Sequence, residues 1–280
     1  PHACAMLPAT LKLCCGIAHD HLRRLPELGV RGREVLGGHD RFFTLLLFAP
    51  AATGPEPDGD ISPSRLSSVD LSYITQGEMA LQGALSILQQ HTSWQEAGTM
   101  LDTGATVSSA ALPGLGKVFR AEVVLAVPVA RLHRELFERM EEMPQWNPAL
   151  SRVKVLQRVG TDTLVTHEVT APSPGNLVGQ RDFVSVRYRG RRETAIYLVG
   201  TATHIEPLPS QEGCIRAESR LSCIVLQPLA GDPSRTRFTW LLSMDLKGWI
   251  PASVLNRVLP QSQADFIKHL RRHLSATACP

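Results

Sequence analysis

Apolar residues recur at helical spacing in two segments that bracket the larger part of the chain. Ser67 or Ser68 can cap a first helix, whose predicted apolar stripe is Leu71, Ile74, Leu81, Leu85 and Leu88. Gly77 and Gly83 should weaken that helix. A broader stripe predicts a terminal helix from Pro251 to about Leu274, with a basic opposite face and a kink at Pro260.

Between these helices, runs of β-branched and aromatic residues predict strands. The first, Lys117–Val127, leads into a short helix that Pro128 opens and that carries Leu132, Leu136 and Met140 on one side. The others are Val153–Val159, Thr163–Thr170, Asp182–Tyr188, Glu193–His204, Gly213–Gln227 with a turn near Arg220, and Arg235–Leu246. Short connections predict antiparallel pairing. We therefore expect an α+β fold, with one curved antiparallel sheet wrapped on the terminal amphipathic helix and enclosing a cavity.

The first 65 residues lack this periodicity. Residues 1–41 are predicted as a mitochondrial targeting leader, because the basic residues from Met6 to Arg33 outnumber the acidic ones and leucines lie among them. An ordinary disordered tail would explain the same composition. Pro1–Ala5 precede Met6, which reads like a natural start. Residues 42–65 are predicted as a linker, 66–275 as the folded domain and 276–280 as a tail.

The composition mainly excludes certain partners and kinds of site. Lys and Arg number 29 against 26 Asp and Glu, so the net charge of +3 is too small for a protein that binds phosphate backbones, and nucleic acid is not an expected partner. No stretch reaches the roughly 18 uncharged apolar residues of a membrane-spanning helix. The six cysteines form no Cys-x-x-Cys pair. We predict reduced structural thiols, with a hairpin disulfide between Cys214 and Cys223 as the alternative.

Sequence signatures of catalysis are missing. The chain has no phosphate-cradling glycine loop, no Gly-x-Ser-x-Gly and no His-Glu-x-x-His, and its histidines do not cluster with cysteine. We therefore expect neither an enzyme nor a metal site. The alternative is a hydrolase or cyclase that uses His167 and Glu168 as an acid-base pair in the cavity. Strand alternation argues against that pair, because neighbouring residues point to opposite faces.

Two charged residues stand on strand faces that otherwise carry apolar or hydroxyl side chains. Glu168 alternates with Leu164 and Thr166, and Arg187 alternates with Phe183. If these faces point inward, the two charges must pair, because unpaired buried charges are costly. A pair in an apolar chamber can anchor one ligand hydroxyl, directly or through water. The alternative is that both residues project into solvent or pair only structurally.

Arg191-Arg192-Glu193-Thr194 has two basic residues, a spacer and a hydroxyl, which is the pattern that basophilic protein kinases favour. A solvated turn would explain the same residues. Thr194 is therefore a candidate phosphorylation site, and a basophilic kinase is a candidate partner.

Three segments resemble the START lipid-transfer domain. They are Trp146-Asn147-Pro148, the run GNLVGQRDFVSVR from Gly175 to Arg187, and the run WLLSMDLKGW from Trp240 to Trp249. The resemblance extends from about Leu66 to Leu274, and the block from Asn176 to Arg187 is specific to the cholesterol-binding branch of that family. It implies a helix-grip fold: a bent antiparallel sheet that holds the terminal helix over a tunnel sized for one sterol.

The resemblance also implies roles for particular residues. It places Glu168 and Arg187 near the sterol 3-hydroxyl, and it adds Arg181, Leu246 and Phe266 to the ligand-binding set. The terminal helix and the loop Ala171–Gln180 would form a movable mouth. The expected gate residues are Gly175, Asn176, Leu259, Leu270 and Leu274.

The function implied by the resemblance is non-enzymatic. Such a protein would bind one cholesterol, need no cofactor, and promote delivery of cholesterol to the inner mitochondrial membrane for steroid hormone synthesis. It would act at the outer mitochondrial membrane, where membrane proteins are candidate partners, after synthesis as a cytosolic precursor. Thr194 also matches a phosphorylated position of the family, with Thr replacing Ser. The alternative within the family is a carrier of another lipid, such as a phospholipid or ceramide.

Overall fold

The computed structural model describes residues 66–90, 92–96, 104–172 and 178–277. The predicted leader, residues 1–41, and the predicted linker, residues 42–65, lie outside the described residues, as do the last three residues of the predicted tail. Among the helices that the described ranges contain, none is long and apolar enough to cross a membrane.

The fold is α+β, as predicted. Its helices are α1 (Ser68–Gln89), α2 (Val129–His133) and α3 (Ala252–Ala276), with a π-helical turn at Arg134–Glu138 and a 3-10 turn at Met140–Gln145 after α2. The strands are β1 (Gln95–Glu96), β2 (Thr106–Leu112), β3 (Gly116–Leu125), β4 (Leu150–Val159), β5 (Thr163–Thr170), β6 (Arg181–Arg192), β7 (Ala195–Ala202), β8 (Ile215–Leu229) and β9 (Asp232–Asp245). They form one curved sheet in the order β1-β2-β3-β9-β8-β7-β6-β5-β4, and all of these neighbours pair antiparallel. The start of β6 also pairs parallel with β8.

The structure differs from the predicted elements in several places. Strand β2 was missed because serine and alanine fill it, and its conformation depends on pairing with β3. The predicted turn near Arg220 is wrong: β8 runs through it, and only the register against β9 shifts there, as in a β-bulge. The helix after Pro128 keeps α-helical geometry only to His133. Pro260 lies within α3, which is one continuous helix.

Helix α1 begins with a capping box, in which Ser67 and Asp70 bond each other's backbone N–H. Its predicted apolar stripe is partly correct. Of the five predicted residues, Leu81 is buried, Ile74, Leu85 and Leu88 are half-buried and pack against the core, and Leu71 is 52% exposed. The buried face is Tyr73, Gly77, Leu81, Ala84 and Ile87. Small residues on this face let the helix approach the sheet closely, and that close approach sets the rotation of the helix.

We expect alanine to have opposite effects at the two glycines of α1. A Cβ at Gly77 would lie 2.5 Å from Tyr188 Cβ, whereas a Cβ at Gly83 would meet nothing within 4 Å. Gly77→Ala should lower the free energy of unfolding by about 1–3 kcal/mol through overpacking. Gly83→Ala should raise it by about 0.5–1 kcal/mol through helix propensity. Urea unfolding of both variants measures this, and changes of the same sign would contradict the packing described for Gly77.

The sheet separates two apolar layers. On its convex side, α1 packs on residues such as Val199, Cys223 and Leu241. On its concave side lies α3, whose Phe266 packs in one cluster with Leu164 and Leu198. A second, separate cluster contains Phe119, Phe183, Ala217, Leu246 and Leu259. Because side chains alternate along a strand, the central strands contribute to both layers.

Strand β4 is one edge of the sheet. The 3-10 turn Met140–Gln145 lies beside it, and Glu141 Oε1 accepts the backbone N–H of Val155 at 2.9 Å. A side chain thus occupies a backbone donor that would otherwise be open at this edge.

Candidate ligand-binding site

Glu168 and Arg187 lie on neighbouring strands, β5 and β6, and face the concave layer. Arg187 Nε donates to Glu168 Oε1 at 3.1 Å, and Arg187 Nη2 donates to the same oxygen. Thr166 Oγ1 also donates to Oε1, at 3.1 Å. The three bonds share one oxygen, so Glu168 Oε2 has no hydrogen-bond partner among the described residues. The charge pairing expected for an inward-facing Glu168 and Arg187 is therefore present, on the concave face that α3 covers.

The sheet around this pair is lined by small residues. Gly200 lies opposite Arg187 in β7, and a Cβ there would be 2.7 Å from Arg187 Nη1, so glycine makes room for the guanidinium. Ser185 is 1% exposed, and its Oγ has no partner within the described part of the chain. The side chains of Arg187 and Glu168 keep 23% and 15% of their accessible surface. A small polar group can therefore reach the pair.

Arg181 connects the start of β6 to the segment between β9 and α3. It is 5% exposed, and its Nε and Nη2 donate to the backbone oxygens of Leu246 and Lys247 at 3.0 and 3.1 Å. Its Nη1 donates to Gly179 O at 2.6 Å. The sequence placed Arg181 among the ligand-binding residues. In the structure, its side chain hydrogen-bonds the backbone of the segment that precedes α3. Contact with a ligand remains a prediction for Arg181.

Aromatic rings surround the buried Phe266 of α3. Its ring centre lies 5.6 Å from that of Trp146 and 5.0 Å from that of Trp240. Gln263, one turn earlier on the same face, is 0% exposed and donates from Nε2 to Trp240 O at 3.0 Å. Sequence reasoning missed Gln263. Its spacing of four residues from both Leu259 and Ile267 could have placed it on the buried stripe.

The three predicted gate residues of α3 are buried: Leu259, Leu270 and Leu274 are 6%, 0% and 4% exposed. The other two, Gly175 and Asn176, lie outside the described residues.

Polar contacts fasten the C-terminal end of α3. His273 Nε2 lies 3.0 Å from Glu135 Oε2 in the π-helical turn. Arg131 Nη2 donates to Leu274 O at 2.8 Å, and Arg271 Nη2 donates to Val124 O at 3.0 Å. This end of the helix is therefore held by both α2 and the sheet.

His167 faces the opposite side of β5 from Glu168. Its Nε2 lies 2.9 Å from Oδ2 of Asp182, which is fully buried and also accepts from Arg216 Nη2 at 2.9 Å and from Gln211 N at 3.0 Å. A groove of about 480 Å³ adjoins this cluster, lined by Arg152, Lys154, Leu156, His167 and residues 208–212. The sequence-based enzyme alternative required His167 and Glu168 to act together, and the structure keeps them on opposite faces.

Burial favours the protonated form of Asp182, but hydrogen bonds from Arg216, Gln211 N–H and His167 outweigh it and hold the pKa below its ordinary value of 3.8. The ionised group therefore contributes stability above pH 3.8, and that contribution disappears as pH falls through the folded-state pKa. We expect Asp182→Asn to lower the free energy of unfolding at pH 7 by about 1–3 kcal/mol. The difference from the unchanged protein should shrink below pH 4.

Urea unfolding at pH 7, 5 and 3.5 measures this. Glu212→Gln, at an exposed position in the same groove, is the matched control and should change stability little at any of these pH values. A constant deficit of Asp182→Asn from pH 7 to 3.5 would contradict the assignment.

Cys214 and Cys223 are free cysteines, the first half-buried and the second buried, and their reduced state stays a prediction. Burial raises the pKa of Cys223 to about 12, so its thiol stays protonated and unreactive. No group of three or more potential metal-binding side chains occurs in the described part of the chain.

A curved antiparallel sheet that holds a terminal helix over an apolar layer containing a paired charge defines a helix-grip domain. The START domain family model matches residues 74–278, and the chain belongs to the START domain family. Steroidogenic acute regulatory protein, mitochondrial, of Ovis aries is 46% identical over 284 residues, covering 98% of each chain. The Homo sapiens protein of the same name is 46% identical over 285 residues, covering 97% of each.

Solved structures show the same fold. Human StAR-related lipid transfer protein 5 aligns with a TM-score of 0.67 at 18% identity, covering 74% of this chain and 98% of that one. Human STARD10 aligns with a TM-score of 0.58 at 16% identity, covering 70% and 80%. The helix-grip architecture expected from the sequence is confirmed.

Proposed function

We propose that this protein is a non-enzymatic carrier that binds one cholesterol and promotes its delivery to the inner mitochondrial membrane for steroid hormone synthesis. The observation that carries the proposal is the Glu168–Arg187 pair, which lies on the concave face beneath α3 with an unengaged carboxylate oxygen. The names of the relatives, which are steroidogenic and mitochondrial, support the same conclusion.

The balance of free energies explains why a polar anchor matters. Moving a sterol of some 27 carbons out of water is favourable by roughly 20 kcal/mol, at about 0.8 kcal/mol per methylene equivalent. A membrane offers the sterol nearly the same environment. Capture therefore depends on smaller contributions, such as about 1–3 kcal/mol from hydrogen bonds at a buried polar group. In this proposal the 3-hydroxyl donates to Glu168 Oε2 and accepts from Arg187 or from the unpartnered Ser185 hydroxyl.

Exchange with a membrane requires the mouth to open. In this proposal α3 and the loop 171–180 move, with Leu259, Leu270 and Leu274 as the apolar contacts that break. Lys268 and Arg272 are exposed on the outer side of α3 and can contact anionic lipid headgroups at the outer mitochondrial membrane. Contact with the membrane would then favour the open state, and release into water would close it.

The most direct experiment identifies the bound lipid. The full 280-residue chain is purified from cholesterol-containing cells, and co-purifying lipid is extracted and weighed by mass spectrometry. Transfer of labelled cholesterol, phospholipid and ceramide between liposomes is then compared. We expect stoichiometric sterol and faster transfer of cholesterol than of the other lipids. A phospholipid or ceramide in its place would overturn the cholesterol proposal in favour of the other carrier.

We also propose that residues 6–41 direct the chain to mitochondria. Fused to a fluorescent reporter, they should give mitochondrial fluorescence, and cytosolic fluorescence would remove this part of the proposal.

Phosphorylation at Thr194 is proposed as well. Thr194 is exposed in the turn between β6 and β7, so a basophilic kinase can reach it. Incubation with such a kinase and ATP should label the unchanged protein and leave Thr194→Ala unlabelled.

A further inference from the structure

Gln263 is a buried polar residue in the apolar face of α3, and half of its amide is unused. Its exposed fraction is 0%, and Nε2 donates to the backbone oxygen of Trp240 at 3.0 Å. Its Oε1 is buried and has no hydrogen-bond partner among the described residues. A buried acceptor that has lost its hydration without gaining a donor is unfavourable, and such atoms are rare in folded proteins.

No donor among the described residues lies at hydrogen-bond distance from Gln263 Oε1. The Trp240 and Phe266 rings, with centres 5.0 Å apart, lie on the same side of the sheet. The indole Nε1 of Trp240 already donates to Ser222 Oγ at 3.1 Å. The indole Nε1 of Trp146, whose ring centre lies 5.6 Å from that of Phe266, is also buried without a partner in the described part of the chain. A bound molecule with a hydroxyl group would satisfy the atom.

Strand geometry places Trp240, whose backbone oxygen Gln263 contacts, about one sterol length from Arg187. Arg187 is on β6 and Trp240, which Gln263 contacts, is on β9, three strands away. With strands about 4.8 Å apart and a rise of about 3.3 Å per residue, the two positions are roughly 16 Å apart over a flat sheet and closer across a curved one. A sterol spans roughly 15 Å from its ring hydroxyl to the end of its side chain, given carbon–carbon bonds near 1.5 Å.

We propose that Gln263 is a second ligand anchor, which accepts a hydrogen bond from a hydroxyl at the end of a sterol side chain. The site would then take side-chain-hydroxylated sterols, held at both ends, in addition to cholesterol. This inference rests on the proposed sterol-carrier function, since the ring hydroxyl is held at Glu168 and Arg187. It adds a specificity-determining residue on α3 to that site.

The test compares two ligands on two proteins. Cholesterol and 25-hydroxycholesterol displace a fluorescent sterol from the full chain and from Gln263→Leu, and the ratio of the two dissociation constants is obtained for each protein. Each ligand's interaction with water is the same in both experiments, so the change in the ratio isolates the contribution of Gln263. We expect the ratio to change about tenfold, or ~1.4 kcal/mol, through weaker binding of 25-hydroxycholesterol.

Controls separate this role from a structural one. Gln261→Leu makes the same substitution at an exposed position of α3, where the amide donates to Asp265 at 3.0 Å, and should leave the ratio unchanged. If Gln263→Leu folds poorly, Gln263→Met replaces it in the same measurement, because methionine has an unbranched side chain like that of glutamine. Equal weakening of both sterols, or a ratio that changes less than about twofold, overturns the inference. If neither sterol displaces the probe from the unchanged chain, the proposed function itself fails.

Discussion

Arg187→Leu should fold and lose most of its sterol affinity, by about 10- to 100-fold, which corresponds to ~1.4–2.8 kcal/mol. Leucine removes both hydrogen bonds that Arg187 donates to Glu168 Oε1. Among the described residues, Thr166 then remains as the donor to this carboxylate. The hydroxyl anchor is then incomplete, while the apolar surface that holds the sterol skeleton remains. Titration with a fluorescent sterol measures the loss.

A double variant separates binding from folding. In Arg187→Leu alone, the unpaired Glu168 carboxylate should lower the melting temperature by several degrees, a loss moderated by its residual solvent contact. Glu168→Gln combined with Arg187→Leu removes the unpaired charge and should restore most of the melting temperature without restoring sterol binding. Unchanged sterol affinity in Arg187→Leu would rule out the anchor role of this pair.

Deletion of Arg271–Pro280 should abolish most sterol transfer and also destabilise the domain. The deletion removes the buried Leu274 and leaves Glu135, which is 6% exposed, without His273. Loss of a buried leucine contributes about 2–5 kcal/mol, and an unpaired buried polar group adds about 1–3 kcal/mol. For a domain of about 200 residues, at about 2–4 °C per kcal/mol, this corresponds to a fall in melting temperature of roughly 6–30 °C. Liposome transfer and calorimetry measure the two effects.

A shorter deletion provides the control. Removal of Ala278–Pro280 keeps every contact described for α3 and should leave both transfer and melting temperature unchanged. If α3 closes the mouth as proposed, the longer deletion should reduce transfer at 20 °C by more than its loss of stability explains, because α3 has lost its contacts with Arg131 and Glu135. Full transfer by the longer deletion would contradict a closing role for the end of α3.

Sequence periodicity predicted the parts of the fold whose pattern is strong. Strands β5 and β6 are rich in β-branched residues, so their positions were predicted, and α3 shows a long amphipathic stripe. Both faces of β5 and of the first half of β6 are buried, so polarity along these strands could not show which face carries Glu168 and Arg187. Strand β2 could not be predicted, because its serine and alanine residues resemble a loop until β3 pairs with it. The face of α1 was predicted only in part, because a small residue, Gly77, which an apolar stripe does not include, packs closely against Tyr188 of the sheet.

Long-range polar contacts were beyond sequence reasoning. Arg181 bonds the backbone of Leu246, 65 residues away, and Asp182 bonds Arg216, 34 residues away. No local spacing indicates such partners. The unpaired oxygen of Gln263 is a similar case, because periodicity can place a residue in the core but cannot show which of its atoms lacks a partner.

The bond from Val155 N–H to Glu141 at the β4 edge has a consequence for a carrier that opens repeatedly. Each opening uncovers apolar surface, and a sheet with a bare edge could then recruit the edge of another molecule and begin a fibril. Because the Glu141 carboxylate accepts the Val155 N–H, that donor is not available to an incoming strand. The carboxylate also places a negative charge beside the β4 edge. If the mouth opens as proposed, this contact would lower the tendency of the β4 edge to pair with another molecule.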